Sequence, residues 1–152
     1  MAQHGSGPVS HSLVKALRSV PDFTPLDDRT LLQIVGASTN LAFSAGSVVF
    51  EPGSESEALY IVLSGQVVIL EAKDGEQVEI SRVGPGGSFG EFSMLLRTQH
   101  SKTARALEDA ELMIIPRDSF EEVLATNPEL AERFQRRLEE RRTVRGQVTD
   151  SA

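Results

Sequence analysis

The fold is indicated first by residues 59–83, which read LYIVLSGQVVILEAKDGEQVEISRV. Asp74-Gly75 lies between two apolar runs in this stretch. This pair favours a two-residue hairpin turn, because both turn positions need a positive φ angle. We therefore expect residues 67–71 and 77–83 to pair as antiparallel strands.

Short apolar runs continue on both sides of this hairpin. Runs broken by glycine are typical of an all-β sandwich or barrel. They occur at residues 41–43, 48–50, 59–63, 67–70, 78–80 and 112–115. Helical patterns flank them at residues 12–20, 27–36, 119–125 and from Asn127-Pro128-Glu129 onward. The sequence predicts one domain over residues 11–145, mainly β with helices at both ends, between a flexible leader (1–10) and a flexible tail (146–152).

The composition narrows the classes of function. A formal net charge of −7 over 152 residues opposes attraction to nucleic acid or to an anionic membrane, so we expect neither DNA nor membrane binding. Cysteine is absent, which excludes disulfides and thiolate metal sites. His4 and His11 lie in or next to the polar leader, so only His100 is expected in the folded body of the domain. With no cysteine and a single expected histidine, we expect no metal, and we expect no other cofactor. Because we find neither a signal-peptide pattern nor a membrane-spanning apolar run, we expect a cytoplasmic protein.

The candidate binding site is a glycine-rich segment, residues 84–96, which reads GPGGSFGEFSMLL. Glycines before a short helix can bring unpaired backbone amides to an anion such as phosphate. Glu91 would then accept hydrogen bonds from a sugar hydroxyl, and a cation on the returning strand would balance the phosphate charge.

Two other interpretations of this segment are open. Ser88-Phe89-Gly90-Glu91 fits the S-x-x-E capping box that starts a helix, which would give Glu91 a purely structural role. Residues 86–90 match the G-x-S-x-G nucleophile elbow, but that motif belongs to α/β sheets and needs further catalytic groups. We therefore expect a binding site and not an enzyme.

In order along the chain, these features resemble the cyclic-nucleotide-binding family, which includes the sensor domains of the catabolite activator protein and of protein kinase A regulatory subunits. The resemblance rests on residues 43–50 and 59–67, Phe89-Gly90-Glu91, Ala106-Leu107 and residues 112–116. With the flanking helices it spans about residues 13–142. It implies a double-stranded β-helix, or jelly-roll, barrel that holds a cyclic nucleotide such as cAMP or cGMP.

The resemblance also implies roles for single residues. Glu91 matches the glutamate that binds the ribose 2′-hydroxyl, and backbone amides near Gly90 would meet the phosphate. Ser101 matches a small or hydroxyl residue on the phosphate. His100 departs from the family, which usually has a phosphate-binding arginine there. The predicted ligand-binding set is Phe89, Gly90, Glu91, Phe92, His100 and Ser101.

Histidine holds phosphate less firmly than arginine, because its ring is mostly neutral above a pKa of about 6.5 and offers no planar fork. Losing one charge-assisted bond weakens binding by about ten- to hundredfold. We expect binding that is weaker, pH-dependent or of another specificity, unless His100 is simply an exposed loop residue. Arg97, Lys102 and Arg105 are replacement cations, although strand alternation would turn Lys102 away from Ser101.

The C-terminal helix carries Leu130, Phe134 and Leu138 on one face and opposite charges on the others. The simplest interpretation is a solvated helix with ion pairs at helical spacing. In the family this helix can close over the ligand, so the resemblance makes Phe134 or Leu138 a candidate lid on the base. Its arginine-rich end suits an acidic protein partner.

These observations predict a stand-alone sensor that binds cAMP or a related cyclic nucleotide and signals to a separate protein through its C-terminal helix. The alternative is a degenerate barrel without nucleotide binding that serves as a protein-interaction or dimerisation module. His100 favours the alternative, whereas Gly90, Glu91 and Ser101 favour the sensor. A homodimer is compatible with both.

Overall fold

The computed structural model describes residues 8–151, with side chains from residue 12 to residue 140. Most of the predicted leader, including His4, and residue 152 of the predicted tail lie outside the described residues. The helices are α1 Pro8–Arg18, α2 Asp28–Ala37, α3 Glu91–Leu96, α4 Arg117–Thr126 and α5 Pro128–Ser151, with a 3₁₀ turn at Pro21–Phe23. The strands are β1 Thr39–Phe43, β2 Val48–Phe50, β3 Ala58–Ser64, β4 Val67–Lys73, β5 Glu76–Val83, β6 Ser88–Phe89, β7 Thr103–Ala106 and β8 Ala110–Pro116.

The strands form two four-stranded antiparallel sheets, with the orders β1-β8-β3-β6 and β2-β7-β4-β5. Strands that follow one another along the chain often belong to different sheets, as in a jelly roll. The predicted fold class, mainly β with flanking helices, is therefore confirmed. The two sheets keep separate edges and do not close into the barrel that the sequence suggested.

The central strands of the first sheet, β3 and β8, are buried on both faces. Successive side chains of a strand point to opposite sides, so each of these strands contributes to two core clusters. Leu59 and Ile61 of β3 belong to a core cluster shared with the helices. Val62 of β3 and Leu112 of β8 belong to a second cluster, which includes side chains of both sheets. One sheet thus supports the helices on its outer face and the second sheet on its inner face.

The hairpin predicted at Asp74-Gly75 is confirmed. Strands β4 and β5 pair up to Lys73 and Glu76, and the two turn residues have φ angles of 52° and 81°. Two positive φ angles give the twist that matches paired strands. In the order of the second sheet, β5 lies at one edge.

The helix starts also follow the sequence signals. Asp27 precedes α2 and accepts a 2.8 Å hydrogen bond from the backbone N–H of Thr30, as an N-cap residue does. Helix α5 begins at Pro128, where the missing N–H costs nothing. The sequence gives no comparable signal for strand β6, because its two residues are too few to show a strand pattern.

Candidate functional site

A cavity of about 320 Å³ is lined by parts of β2, β4, β5 and β6, by the start of α3 and by the loop before β7. This volume lies within the range of small-molecule sites in proteins. The structure brings the whole predicted ligand-binding set to its wall: Phe89, Gly90, Glu91, Phe92, His100 and Ser101.

Gly90 gives the segment its shape. Its φ angle is 85°, and a Cβ atom there would lie 3.1 Å from Cδ1 of Tyr60. Only glycine adopts this conformation without strain at such close contact. Gly90 is the residue before α3, and Ser88 lies in β6 opposite Ile61. The capping-box interpretation is therefore wrong, because Ser88 is held in a strand and the helix begins at Glu91 itself.

His100 lines the cavity together with Phe50 and Phe89, and these rings form one cluster with Tyr60. Its ring stacks on Phe50 with centroids 3.5 Å apart and planes 5° apart. Phe50 also contacts Tyr60 and Phe89, whose rings stack on each other with centroids 5.0 Å apart. Four flat rings at these distances pack firmly, and three of them form part of the cavity wall.

His100 is only 4% exposed, so the interpretation as an exposed loop residue is wrong. Backbone hydrogen bonds hold it from both sides, since His100 N–H donates to Ser54 and its carbonyl accepts from Gly53. Its Nε2 atom is buried and has no hydrogen-bond partner among the described residues. Burial lowers the pKa of His100 below its usual value, because the apolar surroundings disfavour the charged ring. A neutral imidazole is a poor substitute for the family's arginine.

Glu91 connects the cavity to the C-terminal helix. Its Oε2 atom accepts a hydrogen bond of 3.2 Å from Nη1 of Arg137 in α5. Arg137 also donates through Nη2 to Asp22 of the 3₁₀ turn at 2.5 Å, and its guanidinium lies 4.8 Å from the ring centroid of Phe134. The side chains of Asp22 and Glu91 are 16% and 10% exposed, so both bonds are shielded from water. One arginine thus joins three parts of the chain.

The two candidate lid residues do not line the cavity. Phe134 is 2% exposed and packs edge-on against Phe120, with ring centroids 5.2 Å apart. Leu138, one turn further along α5, is half-buried. In this structure Phe134 is a core residue, and a lid role for either side chain stays a prediction.

Of the three candidate replacement cations, only one lines the cavity. Arg97 donates to Glu121, and Arg105 donates to Gln77, so neither guanidinium lies in the cavity wall. Lys102 does line the cavity, and its Nζ lies 3.5 Å from Oγ of Ser101. The alternation argument against Lys102 is wrong, because β7 begins at Thr103 and residues 101 and 102 precede the strand.

Sequence reasoning did not identify Phe50, which lines the cavity, or Tyr60 and Arg137, which contact the lining residues Phe89 and Glu91. The first two are in strands and appear as ordinary apolar positions. Arg137 carries one signal, since it follows Phe134 by three positions and therefore lies beside the buried face of α5.

The described residues contain neither a membrane-spanning helix nor a candidate metal cluster. No helix among them is both long enough and apolar enough to span a bilayer. No three or more of their histidine, aspartate and glutamate side chains are grouped closely enough to hold a metal ion.

Comparison with known proteins identifies the family. The model of the cyclic nucleotide-binding domain matches residues 40–127, more than half of the chain. The chain therefore belongs to the cyclic nucleotide-binding domain family, as its sequence resemblance predicted.

The chain is also similar to curated relatives and to solved structures. The lysophospholipase NTE1 of Chaetomium globosum is 39% identical over 108 residues, which are 70% of this chain. The chain spans only about 7% of the length of the curated relatives that it matches. The sensor domain of the transcriptional regulator DNR from Pseudomonas aeruginosa superposes with a TM-score of 0.81 at 23% identity, covering 90% of this chain and 92% of that one. The catabolite activator protein of Thermus thermophilus gives a TM-score of 0.74 at 27% identity, covering 86% and 62%.

Proposed function

We propose that the cavity binds a cyclic nucleotide, cAMP or cGMP, and that this binding changes the position of α5. Membership of the family supports a nucleotide-sensing role. The grouping of Gly90, Glu91 and Ser101 around one cavity supports the same location for the ligand. The role is regulatory binding and not catalysis.

The observation that carries the proposal is the contact between Glu91 and Arg137. A ribose hydroxyl that donates to Glu91 would compete with Arg137 for the same carboxylate. Loss of this contact removes one of the bonds that hold α5 against the rest of the domain. Ligand binding and the position of α5 are therefore thermodynamically coupled, and each changes the equilibrium of the other.

The proposed output is a changed contact between α5 and a separate protein. The outer side of α5 carries charges of both signs, for example the exposed pair Glu132 and Arg136. A partner with complementary charges would recognise such a surface. After release of Arg137, Leu138 is better placed than Phe134 to cover the base, because Phe134 would have to leave the core.

Titration calorimetry against cAMP, cGMP and a cyclic dinucleotide tests this function. We expect one mononucleotide to bind with a stoichiometry of one, and Glu91→Gln to weaken that binding about tenfold or more, since a charged acceptor becomes a neutral one. Glu79→Gln is the matched control, because Glu79 is paired with Arg82 on the exposed face of β5. No binding of any of the three up to millimolar concentration contradicts the proposal.

The alternative function is an interaction or dimerisation module without nucleotide binding. The buried, neutral His100 favours it, because the site lacks the family's arginine. The variant His100→Arg separates the two functions. If the wild type does not bind and the variant does, the remainder of the nucleotide site is intact. If neither binds, the alternative is the better account.

A further inference from the structure

The site described above needs a group that neutralises the ligand's phosphate, and His100 does not supply a charge. Its ring is stacked on Phe50, surrounded by apolar side chains and neutral at physiological pH. Arg97 and Arg105 are directed to Glu121 and Gln77. Among the described residues that line the cavity, only Lys102 carries a positive charge.

Lys102 is placed beside the hydroxyl that the family resemblance assigns to the phosphate. Nζ of Lys102 lies 3.5 Å from Oγ of Ser101, and both residues line the cavity. Because they precede β7, the two neighbouring side chains are not forced to opposite faces of a sheet. An ammonium group and a hydroxyl at this distance can donate to the same phosphate.

The charge of the cavity wall supports an anionic ligand only if Lys102 takes part. Glu91 brings a negative charge to the same wall. Without Lys102, a phosphate at the backbone amides near Gly90 would have no cation in the cavity wall and would lie near a carboxylate and a neutral imidazole, which would disfavour it. With Lys102, the site has one acceptor for a sugar and one cation for a phosphate.

We infer that Lys102, together with Ser101, is the phosphate-binding group of this site and takes the role that arginine has elsewhere in the family. This inference rests on the proposed function. It also has a consequence for specificity. Lysine is a compact charge with rotatable donors and lacks the planar fork of arginine. The site should therefore require a phosphate but discriminate less between a cyclic and an open phosphate.

Calorimetry with two kinds of probe tests this inference. Cyclic AMP, cyclic GMP and 5′-AMP carry a phosphate, whereas adenosine and guanosine present the same bases and sugars without it. We expect Lys102→Ala to weaken cyclic-nucleotide binding about ten- to hundredfold and to leave nucleoside binding unchanged. Lys102→Arg should restore most of the affinity. For the wild type, 5′-AMP should bind within about tenfold of cyclic AMP.

Arg105→Ala is the matched control, because it removes one positive charge three residues away and outside the cavity wall. Its affinity for cyclic nucleotide should stay within about twofold of the wild type. Lys102→Gln, which removes the charge but keeps most of the side chain, should lose affinity like Lys102→Ala, and this checks that loss of packing is not the cause.

Four results overturn the inference. Equal binding of cyclic AMP to the wild type and to Lys102→Ala does so directly. An equal loss for adenosine and for cyclic AMP shows that Lys102 only supports the structure. Equal binding of adenosine and cyclic AMP to the wild type means that the phosphate is not recognised, although a ligand-binding role for the cavity stands. If the wild type binds neither nucleotide nor nucleoside, the proposed function fails together with the role of Lys102.

Discussion

Arg137→Ala is the most informative single change, because Arg137 joins α5 to both Asp22 and Glu91. The variant loses two charge-assisted hydrogen bonds, of 2.5 Å and 3.2 Å. Such bonds are worth about 1.5–3 kcal/mol each when buried and less when partly exposed. The side chain of Arg137 is 34% exposed, so we expect a total loss of about 2 kcal/mol in the free energy of unfolding. For a domain of this size, the melting temperature falls by about 4–8 °C.

The same variant should bind nucleotide more tightly. Glu91 no longer has to leave Arg137 before it accepts a sugar hydroxyl. If the Glu91 bond contributes about 1 kcal/mol of the loss, the affinity for cyclic nucleotide rises about fivefold. A domain that is less stable and yet binds its ligand better is not expected from general damage to the structure.

Differential scanning fluorimetry measures the stability, and calorimetry measures the affinity. Arg136→Ala is the matched control, because Arg136 forms an exposed 3.6 Å pair with Glu132 on the same helix. It should change the unfolding free energy by no more than about 0.5 kcal/mol. Weaker or unchanged nucleotide binding by Arg137→Ala would refute the competition between Arg137 and the ligand.

Three further changes test the fold and the site. Gly90→Ala should lower the free energy of unfolding by about 1–3 kcal/mol in urea, because residue 90 has a positive φ and contacts Tyr60. The control Gly36→Ala, in open space within α2, should be neutral or stabilising by up to about 1 kcal/mol. Similar losses for the two variants would contradict this account. Phe134→Ala should cost about 3–5 kcal/mol in urea unfolding as a core deletion, and a cost under about 1 kcal/mol would show that Phe134 is not part of the core. The lowered pKa of His100 means that the unfolded chain takes up a proton below about pH 6.5 before the folded chain does, so stability falls as the pH falls from there. In urea unfolding the wild type should lose stability relative to His100→Phe as the pH falls over this range, and parallel profiles would exclude the shift.

Local patterns were sufficient to predict most of the fold. Short apolar runs broken by glycine indicated the strands, and the turn at Asp74-Gly75 fixes the register of its own hairpin. Asp27 and Pro128 mark helix starts by the chemistry of their own backbone and side chains. Whether the strands close into a barrel depends on sheet edges that are distant in sequence, and there the expectation was wrong.

The site was predictable where it is local and not where distant segments meet. The glycine-rich motif and its resemblance to the cyclic-nucleotide-binding family were enough to predict Phe89 to Phe92 and Ser101 as site residues. The stacking of His100 on Phe50 and the bond between Glu91 and Arg137 join residues about fifty positions apart, which only the packed structure brings together. Lys102 was misjudged because alternation was applied to a residue that precedes its strand.

The coupling between Glu91 and α5 is tested most directly by the distance between α5 and the second sheet. The chain has no cysteine, so Lys73→Cys and Glu140→Cys, both at exposed positions, accept two spin labels without competition. We expect the distance distribution measured by pulsed electron resonance to shift when cyclic nucleotide saturates the cavity. Arg137→Ala without nucleotide should shift it in the same direction. An unchanged distribution with nucleotide demonstrably bound would contradict the proposal that Glu91 transmits binding to α5.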